Sequence, residues 1–240
     1  MTKSCVSSFY RDFKFEHERM IKSLLHFHPE VNLEIIERKE FMLLGLDTWG
    51  YPLMELPLFK KYSTVTHIDA DVIIVDRIDE LFDDSTDARA GRNNTDNNRC
   101  TTHEGVTLHN IPWHKYVNAG IHSVSSAAFM EEWLRYTKDN VLEYKYGEND
   151  TFNIVFHLPK YSTKILDPLE GSIYYGTSIV EGTKTFWDLW RKIVVVGDHL
   201  ELNNKRIKML HIAGGLAVRP PLAELVTPEV QIFIDHILTT

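Results

Sequence analysis

Lys61-Tyr62-Ser63-Thr64-Val65-Thr66-His67-Ile68-Asp69-Ala70-Asp71-Val72-Ile73-Ile74-Val75 decides the fold class. The run up to Ile68 reads as a buried strand, and it ends in two carboxylates. Side chains alternate along extended backbone, so Asp69 and Asp71 project to the same side. Two like charges at the end of an apolar strand are costly unless a cation neutralises them. Hard carboxylate oxygens suit Mg2+ or Mn2+, which bind with few protein ligands plus phosphate oxygens. The simplest reading of Asp69-Ala70-Asp71 is a site for a metal-chelated nucleotide. Most Asp-x-Asp triplets are solvated turns. The strand-end position argues for function here, because ligands of open α/β sheets bind beyond the carboxyl ends of strands.

The surrounding chain alternates strands with helices, which indicates a mostly parallel sheet flanked by helices. Ser4 to Phe9 reads as a first strand and Asn32 to Glu37 as a second. Between them, Phe15 to His28 carries Met20, Ile21, Leu24 and Leu25 on one helical face, with Pro29 just past its end. Pro52 to Lys61 reads as helical, Arg77 to Phe82 as a short helix, and Ala88 to Gly91 as a short strand. Arg92 to His114 is polar and irregular, rich in Asn, Thr and His. Such a long connection is usually functional or disordered; here it is expected to be a mobile loop over the acceptor side. Tyr116 to Val124 returns to a strand. Ser126 to Tyr144 and Glu148 to Phe156 read as helices, and Lys208 to His211 as a strand. Thr227-Pro228-Glu229 opens a final helix with an N-cap and a Pro at its first position. The stretch from Leu158 to Gly197 yields no assignment.

The 240 residues are expected to form one domain, with no internal repeat or linker. A net charge of −8 without a dense basic block argues against nucleic acid as the main partner. No apolar run approaches membrane-spanning length. Cys5 falls in the first strand and Cys100 in the polar loop, so no disulfide framework is expected and a reducing, cytoplasmic compartment is the default.

Four further segments carry chemistry. In Val117-Asn118-Ala119-Gly120-Ile121, an Asn can reach a ligand hydroxyl and a Gly permits close backbone approach. Glu148-Asn149-Asp150, with Asn153, opens a helix; helix N-termini favour negative charge, so capping explains these acids as well as function does. His211 ends an apolar strand and precedes Gly214-Gly215, where backbone amides can meet phosphate. Arg219-Pro220 adds a fixed cation for charge-assisted phosphate contact. Read alone, each has a structural explanation; a lone His is more often structural, but a carboxylate pair elsewhere in the chain lacks a third ligand.

In order and content these segments resemble the GT-A glycosyltransferases, most closely the glycogenin-like and lipopolysaccharide galactosyltransferase-like members of glycosyltransferase family 8. Tyr62-Ser63 through Asp69-Ala70-Asp71 to Ile78-Asp79-Glu80-Leu81-Phe82 is similar to that family's core strand, DXD motif and following helix. Asn118-Ala119-Gly120 matches its NAG element, Glu148-Asn149-Asp150 with Asn153 its acidic-amide segment, and His211, Gly214 and Arg219-Pro220 its ending. Leu53, Asn149 and Arg219 depart from the family's usual residues.

The resemblance implies a Rossmann-like GT-A fold and a metal-dependent transfer of hexose or pentose from a UDP-sugar, with retention. Asp69, Asp71 and His211 would bind Mn2+ or Mg2+. The donor would be held by Phe9, Tyr10 and Asp12 at the base, by Ala70, Asn118 and Ala119, and by Gly214 and Arg219. Glu148 and Asn149 would contact the donor sugar, with Asp150 near the anomeric carbon. The acceptor would be a glycan, lipid-linked glycan or glycoprotein. Rival readings are a sugar-nucleotide hydrolase or nucleotidyltransferase on the same fold, or a non-catalytic nucleotide-binding protein.

Overall fold

The computed structural model describes residues 2–9, 14–36, 50–93, 99–140, 143–166, 174–176, 190–212 and 221–240. In chain order its strands are β1 (Thr2–Phe9), β2 (Asn32–Ile36), β3 (Tyr62–Ile68), β4 (Val72–Ile74), β5 (Ala88–Arg92), β6 (Arg99–Thr101) and β7 (Thr107–Ile111). Then follow β8 (Val117–Val124), β9 (Thr163–Leu166), β10 (Tyr174–Gly176), β11 (Val194–Val196), β12 (His199–Leu202), β13 (Lys205–Ile207) and β14 (Met209–His211). The helices are α1 (Lys14–Phe27), α2 (Tyr51–Glu55), α3 (Ala127–Asn140), α4 (Gly147–Phe156), α5 (Leu222–Leu225) and α6 (Pro228–Thr239).

These elements gather into two units. One comprises Met1–Asp12, Val31–Asp69 and Asp79–Leu166; the other comprises Phe13–Glu30, Ala70–Ile78 and Asp167–Thr240. The boundary between them falls inside the Asp-Ala-Asp triplet.

The first unit is built on a six-stranded sheet in the order β2-β1-β3-β8-β5-β9. β1 runs parallel to β2 and β3, and β9 parallel to β5, while β8 is antiparallel to both of its neighbours. This is the expected mixed, mostly parallel sheet flanked by helices. Phe129 and Trp133 of α3 and Phe152 and Phe156 of α4 lie at i,i+4 spacing, so each pair shares a helix face. Both faces bury against Ala88, Ala90, Val117, Ala119 and Val124 of β5 and β8.

The second unit holds the sheet β10-β14-β4, in which β14 is parallel to β10 and antiparallel to β4, and an antiparallel sheet β11-β12-β13. Its core joins Ile73, Val75, Trp190, Leu200, Leu210, Val230 and Ile234. α1 anchors β4 through Ser23 Oγ, which accepts from Ile74 N at 3.0 Å, and His28 Nε2 accepts from Ile78 N at 2.9 Å. Thr227 caps α6 through Val230 N, with Pro228 in its first turn, as the sequence predicts.

Several local expectations shift. The predicted helix from Pro52 to Lys61 is α-helical only to Glu55 and continues as a 3-10 turn, Leu56–Lys60. Pro57 cannot donate the backbone hydrogen bond an α-helix needs there. Arg77 to Phe82 reduces to one 3-10 turn, Asp79–Leu81. The helix predicted from Ser126 to Tyr144 is described over Ala127–Asn140, and Tyr144 lies outside it, bridging to Thr102. Arg92 to His114 is not uniformly irregular: β6 and β7 pair antiparallel, with Gly105 at φ 86° in the turn. Cys100 therefore sits buried on a strand rather than in a polar loop, and neither cysteine is in a disulfide.

Candidate active site

Asp69 stands where β3 ends. Its backbone N–H donates to Gly120 O on β8 at 2.8 Å, so the carboxylate lies across that strand's backbone. A Cβ at position 120 would come within 2.0 Å of Asp69 Oδ2, so only glycine leaves room. The Gly120 N–H donates to Asn118 Oδ1 at 2.7 Å.

Asp69 Oδ1 accepts from Tyr51 Oη and from His67 Nε2, each at 3.1 Å. The other nitrogen of His67, Nδ1, contacts Glu55 Oε1 at 2.9 Å. Glu55 Oε2 meets His122 Nε2 at 2.9 Å, and His122 Nδ1 donates to Ala119 O at 2.6 Å. Ser7 Oγ donates to Glu55 Oε1 at 2.8 Å. Strand register explains this assembly. Ser7, His67 and His122 are cross-strand partners on β1, β3 and β8, so they form one row across the sheet. Tyr51 and Glu55 lie one helical turn apart on α2 and meet that row from the same face. The rings stack: Tyr51 on His67 at 4.5 Å, and His67 on His122 at 5.3 Å between centroids.

Burial opposes ionisation of Glu55, but the imidazoles, His122 foremost, outweigh it and hold its carboxyl down to about 2. Burial likewise opposes a charged His67, yet its bonds to Asp69 and Glu55 raise the ring to about 9. Sequence reasoning missed Tyr51, Glu55, His67 and His122. The available signal was the i,i+2 spacing of His67 and Asp69 on an otherwise apolar strand.

Asp71 opens β4 in the second unit. His211 Nε2 lies 3.0 Å from Asp71 Oδ1, because β14 pairs with β4 and sets His211 opposite Val72. Ile212 N donates to Asp71 O at 3.0 Å and locks the register. The imidazole and the second carboxylate, far apart in sequence, are thus brought together.

The start of α4 is fastened to β8 by its amides. Asn149 Oδ1 accepts from Ala119 N at 2.6 Å, and Asn149 Nδ2 donates to Tyr116 Oη at 2.7 Å. Asn153 bonds both the N–H and the carbonyl of Val117, each at 2.8 Å. Asp150 is fully buried: Oδ1 accepts from Tyr116 Oη at 2.6 Å and Cys100 N at 2.8 Å, and Oδ2 from Tyr146 N at 3.0 Å. Glu148 differs. It is 8% exposed, and its Oε2 is buried with no hydrogen-bond partner among the described residues. Burial first, then the charges of Asp69 and Asp150, push its carboxyl well above the usual range.

Ala70 is buried in the turn between Asp69 and Asp71. Tyr10, Asp12, Gly214 and Arg219 lie outside the described residues, as does the side chain of Phe9. Among the described residues, no helix is long and apolar enough to cross a membrane.

No family model matches the chain. No curated protein matches it. Solved structures do. The apo form of the glycosyltransferase GlyE from Streptococcus pneumoniae TIGR4 aligns with a TM-score of 0.56 at 13% identity, over 100% of this chain and 61% of that one. A second GlyE structure aligns with a TM-score of 0.46 at 16% identity, over 68% of this chain and 45% of that one. A197 from STIV aligns with a TM-score of 0.41 at 14% identity, over 69% and 82%. At such identities the likeness to apo GlyE is one of fold, and the chain spans 61% of that protein's length. The chain shares its mixed α/β architecture with that glycosyltransferase.

Proposed function

We propose that this chain is a metal-dependent glycosyltransferase that moves a sugar from a UDP-sugar to a hydroxyl acceptor. The observation that carries the reading is the pairing of Asp71 with His211 at 3.0 Å, in a chain whose fold is shared with a glycosyltransferase. A carboxylate and an imidazole in contact, next to a second carboxylate two residues along the chain, form a donor set that suits Mn2+ or Mg2+. Asp69, Asp71 and His211 would hold the ion, with Ala70 as the spacer. The ion would neutralise charge on the departing diphosphate.

The protein's own groups do the rest. Asn118, Ala119 and Gly120 lie at the start of β8, with Gly120 against Asp69, and are assigned to the donor. Glu148, whose Oε2 has no hydrogen-bond partner among the described residues, is assigned to a donor sugar hydroxyl, since burial keeps its carboxyl neutral to higher pH and able to donate. Asp150 and Asn149 hold the segment that presents Glu148, so their effect on transfer is through position. Phe9, Tyr10 and Asp12 are assigned to the base, and Gly214 and Arg219 to the phosphates. The family resemblance supports retention at the anomeric carbon, which the anomeric proton coupling of the product reads.

The test is release of free UDP from a panel of sugar nucleotides, with and without Mn2+ and with candidate glycan acceptors. Metal-dependent release coupled to acceptor glycosylation is expected. Release of free sugar alone would replace the reading with a hydrolase, and release of sugar phosphate with a pyrophosphate-bond enzyme. UDP binding without turnover of any donor would leave a binding protein.

A further inference from the structure

We propose that Glu55, acting through His67, is the positioning residue that sets Asp69 for metal binding. The inference rests on the metal reading above and extends it to residues with no part in ligation.

Four observations on one unit carry it. His67 bridges two carboxylates, Glu55 at 2.9 Å and Asp69 at 3.1 Å. Carboxylate oxygens only accept, so both ring nitrogens donate and the ring has one productive orientation. Glu55 is itself clamped by His122 at 2.9 Å and Ser7 at 2.8 Å, so its position cannot relax independently. Tyr51, on the same helical turn as Glu55, donates to the same oxygen of Asp69 at 3.1 Å. α2 thus reaches the Asp69 carboxylate twice, once directly and once through an imidazole. Gly120 closes the other side, where any Cβ would displace Oδ2.

The energetics favour a function over a purely structural device. Glu55, His67 and His122 are all fully buried. Replacing a buried ionic network by apolar side chains of similar volume is often neutral or stabilising. A row of polar groups at the sheet centre is therefore a poor way to stabilise this fold and a good way to fix a carboxylate. Partners that orient metal ligands typically contribute about 10- to 100-fold in metal affinity.

The experiment measures Mn2+ affinity directly, by the EPR signal of free Mn2+ in the presence of UDP, for wild type, Glu55→Gln, Tyr51→Phe and Asp71→Asn. Near-ultraviolet circular dichroism and melting confirm that each variant is folded. Glu55→Gln should weaken Mn2+ binding by about 10-fold or more, Tyr51→Phe should weaken it less, and Asp71→Asn should remove it. Saturating Mn2+ should restore most of the Glu55→Gln turnover, a rescue that damage to packing alone would not show. A folded Glu55→Gln with wild-type Mn2+ affinity overturns the proposal. Should Glu55→Gln fail to fold, His67→Gln breaks the same link between Glu55 and Asp69, and unchanged Mn2+ affinity in that variant overturns the proposal equally. If wild type itself binds no Mn2+, it is the metal reading that fails.

Discussion

Glu55 and Asp150 are both fully buried carboxylates of the same unit, and they are accommodated in opposite ways. Glu55 sits between two imidazoles. Asp150 sits among neutral donors: a phenol and two backbone amides. Two residues before Asp150, Glu148 has a buried oxygen with neither kind of partner among the described residues. The ion-paired acid faces the end of β3, where we place metal binding. The acid bonded to neutral groups ties α4 to Tyr116 and to β6. The unsatisfied acid is the one whose burial has no structural return, and such groups cluster at functional sites.

The largest expected effect is on the ion-paired acid. Glu55→Ala leaves two imidazoles facing a hole and should cost about 3–5 kcal/mol, the usual loss when one partner of a buried pair is removed. Urea unfolding measures it. A loss under about 1 kcal/mol would show that water or movement of α2 relieves the network, and would erase the contrast with Asp150.

Next comes the unsatisfied acid. Glu148→Gln keeps shape but alters the group offered to the sugar. It should lower kcat/KM by roughly 10- to 100-fold, equal to about 1.5–3 kcal/mol for buried neutral hydrogen-bonding groups left mismatched at the sugar. Its unfolding free energy should not fall, because no hydrogen bond from the described residues to Oε2 is lost. A destabilised, fully active variant would move Glu148 into the same class as Asp150.

Asp150→Asn should show the reverse. An amide in place of the carboxylate turns one acceptor into a donor facing Tyr146 N or Cys100 N, which costs about 1–3 kcal/mol of stability. Any fall in turnover should track the loss of folded protein and leave UDP affinity within a few-fold. Gly120→Ala belongs to the same range, about 1–3 kcal/mol for a methyl forced into a packed site, and it should also weaken Mn2+ binding because Asp69 must move. Unchanged metal affinity in Gly120→Ala would mean that the carboxylate has a second usable pose.

The contrast also explains what the sequence could and could not reveal. β3 with its terminal Asp69, the helices α1 and α4, and the Thr227 cap were legible, because each is written in local periodicity or in a short capping pattern. His211 was legible as a strand-end imidazole, though its contact with Asp71 depends on the pairing of β4 with β14. The hairpin β6–β7 was not, since strands of three and five residues with exposed Thr107, Leu108, His109 and Asn110 carry no burial alternation. The Glu55 network was least legible. Its partners lie 48 and 67 residues away, at Ser7 and His122, and only strand register aligns them. The bonds of Asp150 to Tyr116, Cys100 and Tyr146 are likewise hidden from sequence, because two of these partners lie 34 and 50 residues away.

The smallest effect is the dependence of stability on pH, and its sign separates the acids. Glu55 is held at about 2 against a usual 4.5, so its contribution is present above 4.5 and is lost as pH falls toward 2. His67 is raised from 6.5 to about 9, so its contribution is present below 6.5 and is lost as pH rises through 9. Glu148 is raised from 4.5, so the folded state retains a proton that the unfolded chain gives up, and stability declines as pH rises above 4.5. Each proton of difference changes stability by at most about 1.4 kcal/mol per pH unit. Wild type should therefore gain stability between pH 2 and 4.5 and lose it gradually above. Glu148→Gln removes only the decline that begins near 4.5, leaving the His67 decline above 6.5. The stability difference between Glu148→Gln and wild type should therefore grow with pH from about 4.5 upward, as measured by urea unfolding without metal. Parallel curves would show that Glu148 ionises as readily folded as unfolded, and would take from it the buried, neutral character on which its assignment to the sugar depends.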